Sequence, residues 1–150
     1  MRLVVQRVTR ASVTSGDELL AAIGLGAAVL VGIGREDTEE IADRMADKLL
    51  ALRYFEDAEG RTNLAIGDVG GSLLVVSQFT LYADVRRGRR PGFTDAAPPD
   101  QAVALLDRLV ARLRQAGLPI ETGRFGAEMT VELVNDGPFT LVLDSDHDLA

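Results

Sequence analysis

Two continuous apolar segments constrain the fold of this chain more than any other feature. Residues 27–33 (AAVLVGI) and 73–76 (LLVV) carry no charged or hydrogen-bonding side chain at any position. A strand with one face in water alternates apolar and polar residues, whereas a strand covered on both faces is apolar throughout. We therefore expect both segments to form strands that are buried on both faces.

Two further segments, residues 38–53 and 99–116, are expected to be helices. Each carries apolar residues at helical spacing, which predicts one core-facing stripe on each helix. The expected core-facing residues are Ile41, Met45, Leu49, Leu52, Val103, Leu106, Val110 and Leu113. Asp37 is expected to cap the first helix, and Gly117 followed by Pro119 is expected to end the second.

Further strands are expected at residues 2–8, 19–23, 128–134 and 139–144, and the second apolar segment extends into the longest strand, residues 72–81. Strands joined by hairpin-type connections, together with two helices, predict an α/β fold with a mixed, largely antiparallel sheet. The length suits a single domain, residues 1–150. The polar tail, residues 145–150, is expected to be mobile.

Composition limits the chemistry that the chain can perform. It has no cysteine and one histidine, His147 in the polar tail. These counts exclude disulfides and thiolate ligands, and they predict no metal site, no cofactor and no Ser-His-Asp triad. No apolar segment approaches the roughly 20 residues needed to cross a bilayer, and no signal-like segment opens the chain. We expect a cytoplasmic protein that does not contact a membrane.

Two short polar segments carry the functional information. Residues 77–80 (Ser-Gln-Phe-Thr) end the second apolar segment, and in an extended conformation Gln78 and Thr80 share one face. Polar groups at the end of a buried strand often bind ligands, although they can also simply satisfy backbone groups there. Residues 135–138 (Asn-Asp-Gly-Pro) lie between two expected strands, where an ordinary turn with a trans peptide bond is the common outcome.

These segments, together with residues 1–8 (MRLVVQRV) and 122–129 (TGRFGAEM), resemble the signature motifs of the D-aminoacyl-tRNA deacylases. The four segments occur in the order of that family, and the resemblance covers residues 1 to about 145. It implies a sheet system that curls like a barrel with two helices packed outside. It also implies a homodimer that hydrolyses the ester between a D-amino acid and the terminal ribose of a tRNA.

The resemblance also implies roles for individual residues. The floor of the active site is the catalytic set Ser77, Gln78, Phe79 and Thr80. The binding and selection set is Asn135, Gly137, Pro138, Arg7, Phe125 and Met129. A cis Gly137–Pro138 bond reaches into the partner subunit's site, where two carbonyl groups exclude an L side chain, and Arg7 braces it. Phe125 and Met129 lie near the pocket for the terminal adenine.

Glycine has no side chain to clash, so glycyl-tRNA, including glycine mischarged on alanine tRNA, is not excluded by this implied mechanism. Thr80 needs a base to act as a nucleophile, and the sequence supplies no obvious one. The family is understood to use main-chain atoms and the substrate's own ribose hydroxyl. Two alternatives remain: a non-catalytic RNA-binding module, and a small-ester hydrolase with Thr80 as the nucleophile.

The charge distribution suits contact with only the end of a tRNA. The net charge is −7, yet Arg86, Arg87, Arg89 and Arg90 fall within five residues. Exposed charges are screened beyond roughly 8 Å at physiological salt, so a local basic patch can bind phosphate on an acidic protein. A solvated loop without a ligand is the alternative. No DNA contact is expected.

Two residues depart from the pattern of the family. Phe139 follows Gly137–Pro138 where valine is usual, and Gly92 stands where serine is frequent. We expect these departures to affect substrate range rather than the class of reaction.

Overall fold

The computed structural model describes residues 1–149. In chain order the elements are β1 (Arg2–Ser15), β2 (Glu18–Ile23), β3 (Gly26–Gly32), α1 (Glu39–Ala51), β4 (Arg53–Glu56), β5 (Thr62–Ala65), β6 (Ser72–Ser77), a 3-10 helix (Phe79–Tyr82), α2 (Pro99–Arg114), β7 (Ile120–Thr122), β8 (Thr130–Asp144) and α3 (Ser145–Asp148).

Six of the strands form one mixed sheet. Its order is β2-β1-β3-β6-β7, and β8 also pairs with β1. β1 is antiparallel to β2, β3 and β8, whereas β3–β6 and β6–β7 are parallel. The strands at the two ends of this order, β2 and β7, contact each other. The sheet therefore curls into a barrel-like core, and β4 and β5 form a separate two-stranded ribbon.

β3 and β6 are the strands that the apolar segments predicted, and both are buried on two faces. Leu73 and Val75 of β6 belong to one core cluster, which the two long helices share. Leu74 and Val76 point to the opposite face and belong to a second cluster, formed with β1 and β2. The sheet thus separates two apolar cores, as continuous apolar sequences require.

The two long helices are confirmed, with ends that differ from the prediction by one or two residues. The prediction for α2 missed the centre of its apolar face, because Leu105 and Leu109 are 6% and 0% exposed while Val103 is only partly buried. Asp37 does not cap α1; the hydroxyl of Thr38 accepts the amide of Ile41 instead.

Four strand predictions were wrong in extent. The strand expected at residues 2–8 continues to Ser15 as β1, because its second half pairs with β2 and β8. The strand expected at residues 72–81 ends at Ser77, because a 3-10 helix begins at Phe79. The strands expected at residues 128–134 and 139–144 are one strand, β8, which is the longest at 15 residues. β4, β5 and β7 were not predicted, since each has only three or four residues and lacks a long apolar pattern.

The polar tail begins with α3 (Ser145–Asp148), and Ala150 lies outside the described residues; the mobility of the tail stays a prediction. Ser145 is buried, its amide donates to the carbonyl of Met1 at 2.9 Å, and its hydroxyl accepts from the amino group of Met1. The same amino group contacts the carboxylate of Asp37, which also accepts the amide of Gly34 at 2.6 Å. The Asp37 carboxylate therefore links Met1 to Gly34, in the segment after β3, through hydrogen bonds to both. Among residues 1–149 no helix is long and apolar enough to span a membrane.

The corrected face of α2 gives a test of the packing. Leu109→Ala should lower the free energy of unfolding by about 2–5 kcal/mol, because it removes a fully buried side chain and leaves a cavity. Val103→Ala is the matched control on the same helix and should cost less than about 1 kcal/mol. Urea denaturation followed by circular dichroism measures both, and equal costs would contradict the observed orientation of α2.

Candidate active site

A cavity of about 770 Å³ opens beyond the ends of the parallel strands. Ile33 follows β3, Ser77 ends β6, and residues 125–127 and 129 follow β7; all of them line the cavity. β3, β6 and β7 run in the same direction, so their carboxyl ends meet at one edge of the sheet. Crevices at this edge are the usual ligand sites of sheets with parallel strands.

The cavity brings together five of the residues predicted from the sequence. Ser77, Gln78 and Phe79 line it from the end of β6, and Phe125 and Met129 line it from the segment after β7. The remaining predicted residues do not line it: these are Thr80, Arg7, Asn135, Gly137 and Pro138.

The opposite wall was not predicted from the sequence. It is formed by the segment before α2 and the first turns of that helix, with Phe93, Ala96, Ala97, Pro99, Ala102 and Leu106 among its residues. The amide of Ala97 donates to the carbonyl of Ile33 at 2.9 Å and holds this segment beside the end of β3. Pro98 and Pro99 signal a helix start in the sequence, but no local signal reveals that the preceding loop folds over the cavity.

The chain turns sharply at Gln78. Its amide donates to the carbonyl of Val31 at 2.7 Å, which is the last contact with β3 before the 3-10 helix begins. The amides of Phe79 and Thr80 donate to no group among residues 1–149, as expected for the first N–H groups of a helix. Gln78 and Thr80 therefore do not share a strand face, contrary to the expectation for an extended segment.

The hydroxyl of Thr80 has no base beside it. The side-chain amide of Gln78 donates to its Oγ1 at 2.6 Å. Within the described part of the chain, no carboxylate or imidazole is hydrogen-bonded to Thr80, and His147 lies in α3 at the end of the chain. An amide donor cannot remove a proton, so this contact orients the hydroxyl without activating it.

In the segment after β7, a methionine sulfur accepts a backbone hydrogen bond. The amide of Arg124 donates to the sulfur of Met129 at 3.4 Å, and the Arg124 guanidinium pairs with Glu18 at 2.9 Å. A Cβ atom at Gly123 would lie 2.6 Å from the same sulfur, so a larger residue there would have to displace the Met129 side chain. These contacts fix the position of Phe125 and Met129 in the cavity wall.

The segment that contains Gly137 and Pro138 is a bulge in β8, not a turn between two strands. Gln6 pairs with Thr140 and Val8 pairs with Asn135, so residues 136–139 all stand opposite one residue of β1. Proline cannot donate to a strand ladder, and a bulge accommodates it. Gly137 has a φ of +118°, which favours glycine, and the Gly137–Pro138 bond is cis.

Arg7 is the residue of β1 that faces this bulge, and it is only 6% exposed. Its Nη1 donates to the carbonyl of Tyr54 at 2.8 Å, and its Nε donates to the carbonyl of Asp136 at 3.2 Å. The Asp136 carboxylate lies 3.3 Å from the same nitrogen. A Cβ atom at Gly137 would lie 2.6 Å from Nη2, so the guanidinium rests directly against the glycine.

Gly137 and Pro138 are themselves exposed on the surface of the chain. Asn135 is partly exposed, although its Oδ1 atom is buried and has no hydrogen-bond partner among residues 1–149. The cavity-lining residues at the end of β6 and the bulge are thus separate features of one chain, since the bulge does not line the cavity described above.

One arginine of the arginine-rich loop is paired with an acidic residue, and in the part of the chain that the structure describes the other three are not. Arg86 forms two hydrogen bonds of 2.8 Å to the carboxylate of Asp84 and thereby holds the pKa of that carboxyl well below its usual range. Arg87, Arg89 and Arg90 are exposed and form no salt bridge within residues 1–149.

The structure offers no cluster of metal ligands in its described part. Among residues 1–149, no group of three or more histidine, aspartate or glutamate side chains is arranged to hold a metal ion.

Comparison with known proteins identifies relatives over nearly the whole chain. The family model described as D-Tyr-tRNA(Tyr) deacylase matches residues 4–144. A D-aminoacyl-tRNA deacylase of Symbiobacterium thermophilum is 58% identical over 146 residues, which is 97% of each chain. Proteins of the same name from Roseiflexus and Thermotoga petrophila are 59% and 55% identical and also align with 97% of this chain, covering 94% and 97% of their own lengths.

Solved structures agree in fold. One described as a c-Myc DNA unwinding element binding protein has a TM-score of 0.90 and 44% identity, covering 96% of this chain and 98% of its own. Another, titled a probable eukaryotic D-amino acid tRNA deacylase, has a TM-score of 0.82 at 20% identity and covers 95% and 97%. The first name concerns DNA, so the absence of DNA contact in this chain stays a prediction. By its sequence and its fold, the chain belongs to the D-Tyr-tRNA(Tyr) deacylase family.

Proposed function

We propose that this protein hydrolyses the ester bond of D-aminoacyl-tRNA and releases the free D-amino acid and the tRNA. One observation carries the proposal. In a chain of this family, two distant motif segments, residues 77–79 and residues 125–127 with Met129, line a single cavity at the carboxyl edge of the sheet. The reaction belongs in the cytoplasm, where charged tRNA is used, and involves neither a membrane nor DNA.

The cavity suits the end of an aminoacylated tRNA in size and chemistry. Its volume lies in the range of small-molecule sites, and its lining is mainly apolar with a few polar groups. Phe125 and Met129 offer apolar surface to the terminal adenine, since nucleobases stack on aromatic side chains. The polar groups at the end of β6 then lie beside the ester.

The chemistry uses main-chain donors instead of a side-chain nucleophile. Water adds to the ester carbonyl carbon and loses a proton, the bond from that carbon to the ribose oxygen breaks, and the released proton is taken up by the ribose oxygen. The unpartnered amides of Phe79 and Thr80 are available to stabilise the oxyanion that forms. The neighbouring ribose hydroxyl of the substrate takes the place of a side-chain base, since no such base contacts Thr80 within residues 1–149.

Chiral selection is assigned to the bulge of a second subunit. Gly137 and Pro138 are exposed and do not line the cavity of their own chain. In a two-fold homodimer each subunit can place this segment, together with Asn135, at the other's cavity. Backbone carbonyl groups beside the substrate's α-carbon leave room for a hydrogen and exclude an L side chain. The exclusion is steric, so every D-aminoacyl group and glycine are accepted.

The first test is the hydrolysis of tRNA charged with D- or L-tyrosine. The ratio of kcat/KM should favour the D form by about 100-fold or more, because the L side chain meets a rigid backbone. Glycyl-tRNA, including glycine on alanine tRNA, should also be cleaved. Scintillation counting of released labelled amino acid measures all three rates.

Equal rates for the D and L forms would overturn the proposal. Binding of tRNA without turnover of any charged form would favour the alternative of a non-catalytic RNA-binding module. Complete resistance of glycyl-tRNA would show that selection requires a D side chain.

A second test concerns Thr80. Thr80→Ala should keep kcat within about tenfold of the unsubstituted protein, because its hydroxyl has no base and main-chain donors remain. Loss of a true nucleophile reduces kcat by about 10⁶-fold in well-studied hydrolases. Single-turnover kinetics of the Thr80→Ala variant and of the unsubstituted protein distinguishes a small loss from a loss of this size. Thr62→Ala in β5 is the control. An acyl group trapped on Thr80 would support the small-ester hydrolase instead.

A third test concerns the arginine loop. Replacing Arg87, Arg89 and Arg90 with glutamine should weaken tRNA binding and reduce the slope of log affinity against log salt by up to about 2, since each phosphate contact with single-stranded RNA contributes about 0.7. Arg86→Gln is the matched control and should have a smaller effect, because Asp84 already neutralises Arg86. Fluorescence anisotropy with uncharged tRNA measures both slopes. An unchanged slope in the triple variant would assign these arginines to a solvated loop.

A further inference from the structure

Phe139 directly follows Gly137 and Pro138, and its ring packs on the inner side of the bulge. The ring is partly buried against the main core cluster and does not line the cavity. Its centroid lies 4.9 Å from the guanidinium carbon of Arg7 and 6.4 Å from the centroid of the Tyr54 ring. Phe139 therefore contacts Arg7, the residue that supports the bulge.

We propose that Phe139 is a positioning residue for chiral selection. Its ring fixes the plane of the Arg7 guanidinium, and the guanidinium fixes the backbone of Asp136 and Gly137. This role rests on the proposed function, in which that backbone excludes L side chains.

The argument begins with the geometry of the guanidinium. Its hydrogen bonds to Tyr54 and Asp136 lie along its edges, and edge contacts restrain motion within the plane of the group. They restrain tilting out of that plane much less. The guanidinium carbon of Arg7 lies over the face of the Phe139 ring, and this attraction adds a restraint that the edge contacts lack. The attraction is stronger where the cation is shielded from water, as Arg7 is at 6% exposure.

Tyr54 links the parts of this arrangement. Its carbonyl accepts from Arg7, while its ring lies beside the ring of Phe139 and 4.6 Å from that of Phe55. The Tyr54 hydroxyl is buried without a hydrogen-bond partner among residues 1–149, so this residue contributes through its ring and its backbone. The contact between the Tyr54 and Phe139 rings thus joins Phe139 to the main core cluster.

A tilt of the Arg7 guanidinium would displace the backbone of the bulge, because the two are in contact. The space that a Cβ atom at Gly137 would occupy is 2.6 Å from Nη2 of Arg7, so no gap separates the two groups. A displacement of about 1 Å at a reacting centre changes rates by about 100-fold. Exclusion of L side chains should be equally sensitive to displacement, because an L side chain fits once the backbone of the bulge has moved away.

The experiment compares substitutions of similar volume with and without an aromatic face. Phe139→Leu should reduce the D-to-L ratio of kcat/KM by about 3- to 10-fold, the range expected for loss of one cation–π contact. The change should come from faster hydrolysis of L-tyrosyl-tRNA, with kcat for the D form almost unaltered. Phe139→Tyr keeps the aromatic face and should stay within about twofold of the original ratio.

Phe55→Leu is the matched control for lost packing. Phe55 is 4% exposed and contacts Tyr54, but its ring does not cover Arg7. It should lower the midpoint of thermal unfolding at least as much as Phe139→Leu and leave the D-to-L ratio unchanged. Phe139→Met, a second non-aromatic variant with a flexible side chain, should repeat the loss of selectivity if Phe139→Leu does not fold.

Nuclear magnetic resonance gives a readout that is independent of activity. The Nε–Hε signal of Arg7 should shift and broaden in Phe139→Leu, because the ring current and the restraint are both lost, and should stay sharp in Phe55→Leu. An unsubstituted protein that cleaves D and L substrates equally would overturn the proposed function and this role with it. D-selectivity that is preserved in folded Phe139→Leu would overturn only the role of Phe139.

Discussion

The burial of one charged group, the guanidinium of Arg7, constrains the rest of this structure. A buried charge is tolerated only when its hydrogen-bonding capacity is met. β1 cannot meet it alone, since its own backbone groups are used in pairing with its neighbours. The partners come from the carbonyls of Tyr54 and Asp136. The bulge of β8 therefore supplies hydrogen-bond acceptors as well as placing Gly137 and Pro138 on the surface.

The cavity and the bulge lie on different parts of the sheet because they have different origins. The cavity requires parallel strands whose ends open toward one edge, and β3, β6 and β7 provide them. The bulge requires an antiparallel ladder that can absorb extra residues, and β1 with β8 provides it. Within residues 1–149, β8 pairs with β1 alone and carries the exposed Val134 and Val142, so apolar surface borders the bulge. The homodimer proposed above is an arrangement that would unite both features.

The sequence predicted those parts of the fold that depend on local pattern. The apolar runs of β3 and β6 and the apolar stripe of α1 indicated burial directly, whereas the stripe predicted for α2 missed Leu105 and Leu109. The end of β6 was wrong because the turn at Gln78 depends on a hydrogen bond to Val31 in another strand. β8 was predicted as two strands because Gly137–Pro138 signals a turn locally. Its continuity depends on pairing with β1, which is distant in sequence. The loop around Phe93 gave no signal for the same reason.

The proposed site, which is built from main-chain groups, would also explain why the sequence shows so little conventional catalytic chemistry. Amides at the start of a 3-10 helix and carbonyls in a bulge are present whatever the side chains, and their positions are set by the fold. Side-chain recognition distinguishes one amino acid from another, since each buried polar group must be paired. Backbone groups placed beside the α-carbon detect only whether a side chain or a hydrogen points toward them, and not which side chain it is. Such a site gains breadth across D-amino acids, and its precision depends on how firmly Arg7 and its neighbours hold the backbone.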